Sequence, residues 1–261
     1  YIKMYKLYVS LIVFSVCIAS IYAASCGCSN RSKRSEDEPL KGNETLVMGD
    51  MVLTEKDRMM LSKSKFRAGN TYGPSKWPGG MVIYYVREGD RGIIRQALDE
   101  LEQKTRKCVT FVEGKPADRS GVYVEVYNNG PGICTSYVGK QRGPGKQLLS
   151  LGKGCMVKGV IQHEFMHALG FYHEHNRPDR DQHIRILWNN VRPAYCFAYN
   201  KCSSCKTYTP YDIKSIMHYG PGGFTCNGGK TYEVLRGEEI RYNHYLTDYD
   251  IKKIRMHYGC E

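Results

Sequence analysis

The chain has 261 residues, 41% hydrophobic and 25% charged, which suits one sizeable globular domain or two small ones and excludes disordered and fibrous classes. Its net charge of +12 comes without a lysine and arginine run interleaved with aromatics. The basic surface therefore reads as solvated, and no nucleic acid is expected as a partner.

The first feature in chain order is the apolar run from Leu7 to Ile21, which follows Lys3 and Lys6 and leads into the small residues of Tyr22-Ala23-Ala24-Ser25. The run is shorter than the ~20 residues that span a bilayer. Residues 1–24 thus read as a secretory signal peptide, with Met4 as a start, and no stable membrane anchor is expected. Eleven cysteines support a secreted, extracellular protein, because disulfides persist outside the reducing cytosol. Removing Cys17 with the signal peptide leaves an even number, as a disulfide framework requires.

Residues 25–67 are polar and poor in aromatics, with Arg31-Ser32-Lys33-Arg34 ahead of Glu36-Asp37-Glu38. They carry the glycosylation sequons Asn30-Arg31-Ser32 and Asn43-Glu44-Thr45. They do not read as a packed domain. A pro-segment and a disordered tail both fit such a composition.

From Trp77 onward the pattern changes. MVIYYV at 81–86 reads as a strand after the turn Pro78-Gly79-Gly80. Residues 91–103 read as a helix, with Ile94, Ala97, Leu98 and Leu101 on one face and Asp90 as N-cap. CVTFV at 108–112, VYVEVY at 122–127 and LLSL at 148–151 read as strands. The second alternates so that one face should be buried. A further helix is predicted over 157–169, stopped by Gly170. Beyond it the chain is rich in Asn, Pro, Gly and Tyr until YDIKKIRMHY at 249–258 offers a closing helix.

The stretch HEFMHALGFYH at 163–173 holds three of the eight histidines. Residues four apart share a helix face, so His163 and His167 can present their rings to one ion. Gly170 lets the chain turn, so that His173 can supply a third ligand and leave one position open. Three imidazoles and an open site suit zinc ahead of copper or cobalt. Glu164 is then placed as the general base. Histidines merely packed on an amphipathic helix would be the bland reading of a bare His-Glu-x-x-His, but the longer spacing argues against it.

The full stretch HEFMHALGFYHEHNRPDRD at 163–181 resembles the extended zinc signature of the astacin family of metalloproteases, and Ser215-Ile216-Met217-His218-Tyr219 resembles its Met-turn. The similarity runs over about 68–261 and includes YDIKSIMHYG and LTDYDIKKI. It implies an α+β metzincin fold of two lobes: a mostly parallel twisted sheet with two long helices, then an irregular C-terminal lobe with a closing helix. It also implies a minimal arrangement of signal peptide (1–24), pro-segment (25–67) and catalytic domain (68–261). Within the site it implies one Zn2+ held by His163, His167, His173 and a releasable Tyr219, Met217 beneath the metal, and Glu164 with Tyr219 as the catalytic pair. Disulfides Cys108 with Cys260 and Cys134 with Cys155 follow from the same resemblance. Cys196, Cys202, Cys205 and Cys226 exceed that pattern and allow three pairings among themselves.

The resemblance further implies a zymogen switch, with Asp50 of Gly49-Asp50 on the metal, although Val47 and Met51 stand where the family has Phe and Ile. Lys63-Ser64-Lys65-Phe66-Arg67-Ala68 offers cuts to an activating trypsin-like protease, and Glu174 would receive the new N-terminus at Ala68. A cut at Arg31–Arg34 alone would leave Asp50 attached. The expected activity is endoproteolysis of protein or peptide substrates. The alternatives are a different metzincin-type hydrolase, or an inactive binding protein or toxin component on a protease scaffold.

Overall fold

The computed structural model describes residues 26–28, 46–54, 57, 61, 75–117, 121–237 and 242–261. The signal peptide, both sequons, Arg31–Arg34, Arg67 and Ala68 lie outside the described residues.

Alternation along β3 (Met81–Val86) sends Val82, Tyr84 and Val86 into the core. The strand pairs in parallel with β4 (Thr110–Glu113) on one side and β5 (Val122–Tyr127) on the other. Strand β5 pairs in parallel with β7 (Gly145–Leu151), and β7 pairs antiparallel with β6 (Cys134–Tyr137). Val122, Val124 and Val126 point inward as the alternation predicts, but Glu125 is buried as well. Arg87 and Lys146 hold its carboxylate at 3.0 Å each, which satisfies the charge on the covered second face.

Two further strands extend this sheet. A hairpin of β1 (Leu46–Met48) and β2 (Met51–Leu53) lies beyond β6, giving the order β1-β2-β6-β7-β5-β3-β4. Met51 faces Ser136 and Val52 faces Tyr137 in parallel register. Part of 25–67 is therefore packed, contrary to the reading from composition: Met51, Leu53 and Leu61 are buried in the second hydrophobic cluster.

Helix α1 (Arg91–Lys104) starts where Asp90 accepts from the Gly92 and Ile93 amides, so the sequence-derived cap is present. Its apolar face meets α2 (Lys158–Leu169), and Gln162 of α2 donates to the Ala97 carbonyl at 3.1 Å. Phe165 of α2 meets Tyr84 and Phe111 edge-on, with centroids at 5.9 and 5.5 Å, contacts worth about 0.5–1.5 kcal/mol each beyond burial.

After Gly170 regular structure thins to 3-10 turns and the small antiparallel pair of β8 (Ile184–Ile186) with β9 (Tyr232–Val234). Tyr199, Tyr232, Ile184 and Val191 centre a separate core there. Helix α3 (Asp248–Tyr258) closes the chain behind a Thr247–Asp250 capping box and returns Ile254 to the first core.

The structure joins Cys108 to Cys260 and Cys134 to Cys155. The remaining pairings differ from the sequence reading. Cys202 bonds Cys205, within the set of four extra cysteines, but Cys196 bonds Cys28 and Cys226 bonds Cys26, so none of the three complete pairings among those four is correct. Their partners lie 168 and 200 residues away in sequence. No helix among the described residues is long and apolar enough to cross a membrane.

Candidate metal centre

Helix α2 is buried on nearly every side, from Gly159 through Leu169, as expected of a helix whose apolar residues surround it. His163, Glu164 and His167 therefore sit within the protein. The helix stops because Gly170 takes φ +110°, its amide returning to the His167 and Met166 carbonyls. That left-handed residue redirects the chain so that His173 re-enters beside the other two rings, with centroids 5.3 Å from His163 and 4.6 Å from His167.

Backbone acceptors orient two of the rings. His163 Nδ1 lies 2.8 Å from the Ile216 carbonyl, and His167 Nδ1 lies 2.7 Å from that of Phe171. A carbonyl accepts only, so each Nδ1 carries the proton and each neutral ring turns a lone pair outward at Nε2. Those Nε2 atoms are 3.1 Å apart. The Asp50 carboxylate stands 3.1 Å from His163 Nε2 and 2.9 Å from His173 Nε2, yet His173 makes no side-chain hydrogen bond at either ring nitrogen. All four donor atoms fall within 4.8 Å of one another.

Converging lone pairs and a carboxylate repel one another unless a cation lies between them. The separations, between 2.9 and 3.8 Å, scatter about the ~3.3 Å edge of a tetrahedron built on Zn–N bonds of about 2.0–2.1 Å. Three nitrogens and one oxygen, with Nδ1 groups anchored outside, form a donor set that fits one zinc ion.

Electrostatics follow burial. Burial is the largest influence on Asp50 and would raise its pKa, but His173 first, and then the His163 and His167 rings beside it, hold it well below the usual carboxylate range. Burial, then the charge of Asp50, pushes Glu164 well above the usual carboxylate range. Glu164 Oε2 is buried without a hydrogen-bond partner. Burial also lowers His167 to about 4, which favours the neutral, ligating ring.

Tyr219 places its hydroxyl 3.4 Å from Asp50 Oδ1. Its ring lies 4.3 Å from His173 and 4.1 Å from His175, centroid to centroid. Met217 is buried in the first core, and its carbonyl accepts from the Glu174 amide at 2.9 Å, tying this turn to the ligand segment. Glu174 Oε1 accepts from Arg177 at 2.8 Å and from the Asp212 amide at 2.9 Å, while Lys253 holds Oε2 at 2.9 Å. Sequence reasoning missed Asp250, which is fully buried and accepts from the Ile216 amide at 2.9 Å and pairs with Lys253 at 3.1 Å. It missed His175 as well, stacked 5.0 Å from His173. The capping pattern Thr247-x-x-Asp250 was the one signal for Asp250; nothing marked His175.

The comparisons agree with this geometry. Residues 70–259 match the family model described as Astacin, a peptidase family. Zinc metalloproteinase nas-14 of Caenorhabditis elegans is 38% identical over 198 residues, covering 73% of this chain and 38% of that protein. Astacin-like metalloendopeptidase of Coturnix japonica is 36% identical over 209 residues, covering 76% of this chain and 49% of that protein. The chain thus spans less than half the length of these two relatives. Among solved structures, high choriolytic enzyme 1, a hatching enzyme zinc-protease of the medaka Oryzias latipes, superposes with a TM-score of 0.62 at 31% identity, covering 76% of this chain and 99% of that one. On the matched span and these identities, the chain belongs to the astacin family.

Proposed function

We propose that the protein is a secreted zinc endopeptidase made in latent form, with residues 25–67 as its pro-segment and Asp50 as the group that blocks the metal. The observation that carries this reading is the convergence of three histidine Nε2 atoms on the Asp50 carboxylate, with the Glu164 carboxyl buried in the same centre. His163, His167 and His173 would hold the zinc, which when bound supplies a Lewis acid for water and for the scissile carbonyl.

This chain's own residues supply the rest. With Asp50 withdrawn, Glu164 Oε2 is the buried oxygen that takes a proton from water and returns it to the leaving amine. Burial raises its affinity for that proton, which favours its transfer from water. The Tyr219 hydroxyl, freed from Asp50, can donate to the developing oxyanion, a contribution of about 3 kcal/mol for a single donor. Strand β6 offers its edge to an extended peptide once β2 departs. After a cut at Arg67, Ala68 would bring its ammonium to Glu174, whose carboxylate already anchors Lys253 and Arg177.

Export is supported by the apolar leader and by the five disulfides among the described residues. The test is cleavage of a peptide mixture by the purified full chain before and after trypsin. Activity should appear after trypsin, disappear with a chelator and return with zinc. Glu164→Gln should bind one zinc and cleave at least about a hundredfold more slowly. Zinc binding and pro-segment removal without any cleavage would refute the reading.

A further inference from the structure

Residues 26–28 are built into the C-terminal lobe. Cys26 is bonded to Cys226 and Cys28 to Cys196. Between them, the Gly27 amide donates to the Val191 carbonyl and the Cys28 amide to the Trp188 carbonyl, both at 3.1 Å. Cys28 also packs against the second core. Asp50 lies further along the same chain, in the turn between β1 and β2, with its carboxylate at the zinc ligands. The blocking segment is thus held covalently at its N-terminal end to the lobe it inhibits.

We infer that a single cut on the C-terminal side of Asp50 does not activate this protein, and that its active form is two disulfide-linked chains, the shorter containing Cys26 and Cys28. This inference rests on the latent-protease reading above. Each cut hydrolyses one peptide bond with one water and leaves the disulfides intact, so after a cut near Arg67 residues 29–49 still connect Cys28 to Asp50. A short connection of that kind holds a bound group at an effective concentration on the order of millimolar, and a segment with micromolar affinity would stay in place. A second cut between Cys28 and Asp50 removes the connection and lets the hairpin leave. The chemistry for it is present in the sequence as Arg31, Lys33, Arg34 and Lys41. A basic quartet that is useless alone becomes functional as half of a pair.

The experiment compares the full, oxidised chain with a variant carrying Arg31→Gln, Lys33→Gln, Arg34→Gln and Lys41→Gln, both after limited trypsin digestion. Intact mass is read with and without reductant, and activity on a peptide mixture is followed in parallel. The wild type should lose the Asp50-containing peptide, keep the Cys26–Cys28 chain until reductant is added, and gain activity. The variant should keep the Asp50 segment attached without reductant and reach at least about tenfold lower activity. Equal activation of the variant, or loss of the short chain from the wild type without reductant, overturns the inference. Adding Asp50→Ala to the variant separates the two readings. Recovered activity places the block on the tethered carboxylate, whereas continued inactivity rejects Asp50 as the switch and, with it, the two-cut requirement. Retention of the short chain is judged by mass alone.

Discussion

At Gly49 the backbone takes φ +66°, and an added Cβ would stand 2.2 Å from the Tyr219 hydroxyl. The hydroxyl has little room to retreat, since its ring is flanked by His173, His175 and Phe224. Gly49→Ala therefore meets a backbone cost of about 1–2 kcal/mol as well as a clash, both only while the hairpin is docked. Peptide cleavage by the uncut protein should rise at least about tenfold, measured against wild type before trypsin. His257 offers a second residue-level outcome. Burial, with help from the charges of Lys76 and Lys206, lowers it to about 4, against about 6.5 in an unfolded chain. The unfolded state then holds more protons between those values, so stability is full above about 6.5 and falls as pH drops toward 4. Between pH 7.5 and 5 the wild type should lose roughly 2 kcal/mol more than His257→Gln in denaturant titrations, even though the variant also loses the 2.7 Å bond to Tyr208 at both pH values.

The elements communicate through Asp250 at the start of α3. It binds the Ile216 amide, and the Ile216 carbonyl orients His163, so the closing helix supports a ring of the candidate metal centre through one intervening residue. Asp250→Asn weakens the pairing with Lys253 and should cost about 2–4 kcal/mol, because a buried ammonium loses a partner. Zinc retention against a competing chelator should fall about 10–100-fold, the usual effect of losing support behind a ligand. The helices were legible in the sequence, since Ile94, Ala97, Leu98 and Leu101 repeat at helical spacing and His163 to His173 combine that spacing with a glycine stop. Strand β6 was not: Cys-Thr-Ser-Tyr is short and polar, and it becomes a strand through pairing with β7 and β2 rather than by its own preference. The β1–β2 hairpin was hidden because its apolar strands, Leu46–Met48 and Met51–Leu53, are only three residues each and lie within a polar stretch.

Across the whole molecule, the three disulfides of longest sequence separation join regions that no local pattern connects. Cys108 and Cys260 close 152 residues and fasten the chain end behind α3 to the approach of β4. Replacing both by serine should lower stability by about 2–5 kcal/mol, seen as an earlier unfolding midpoint, with zinc content unchanged in the fraction that folds. The sequence could be read for the clustering of His163, His167 and His173 because helical geometry and a glycine stop set their spacing. It could not be read for Cys26 and Cys28, whose partners lie in a lobe with almost no regular structure to predict.

The edge of β6 is filled by β2, one backbone lying against another. Any client that takes that place must offer several consecutive residues whose own amides and carbonyls are unclaimed. A well-folded protein has few such stretches, and it exposes more only through transient fraying or subglobal opening. Turnover of folded clients should then follow how often they come loose, and proteins held tight by cross-links, this enzyme among them, should resist digestion.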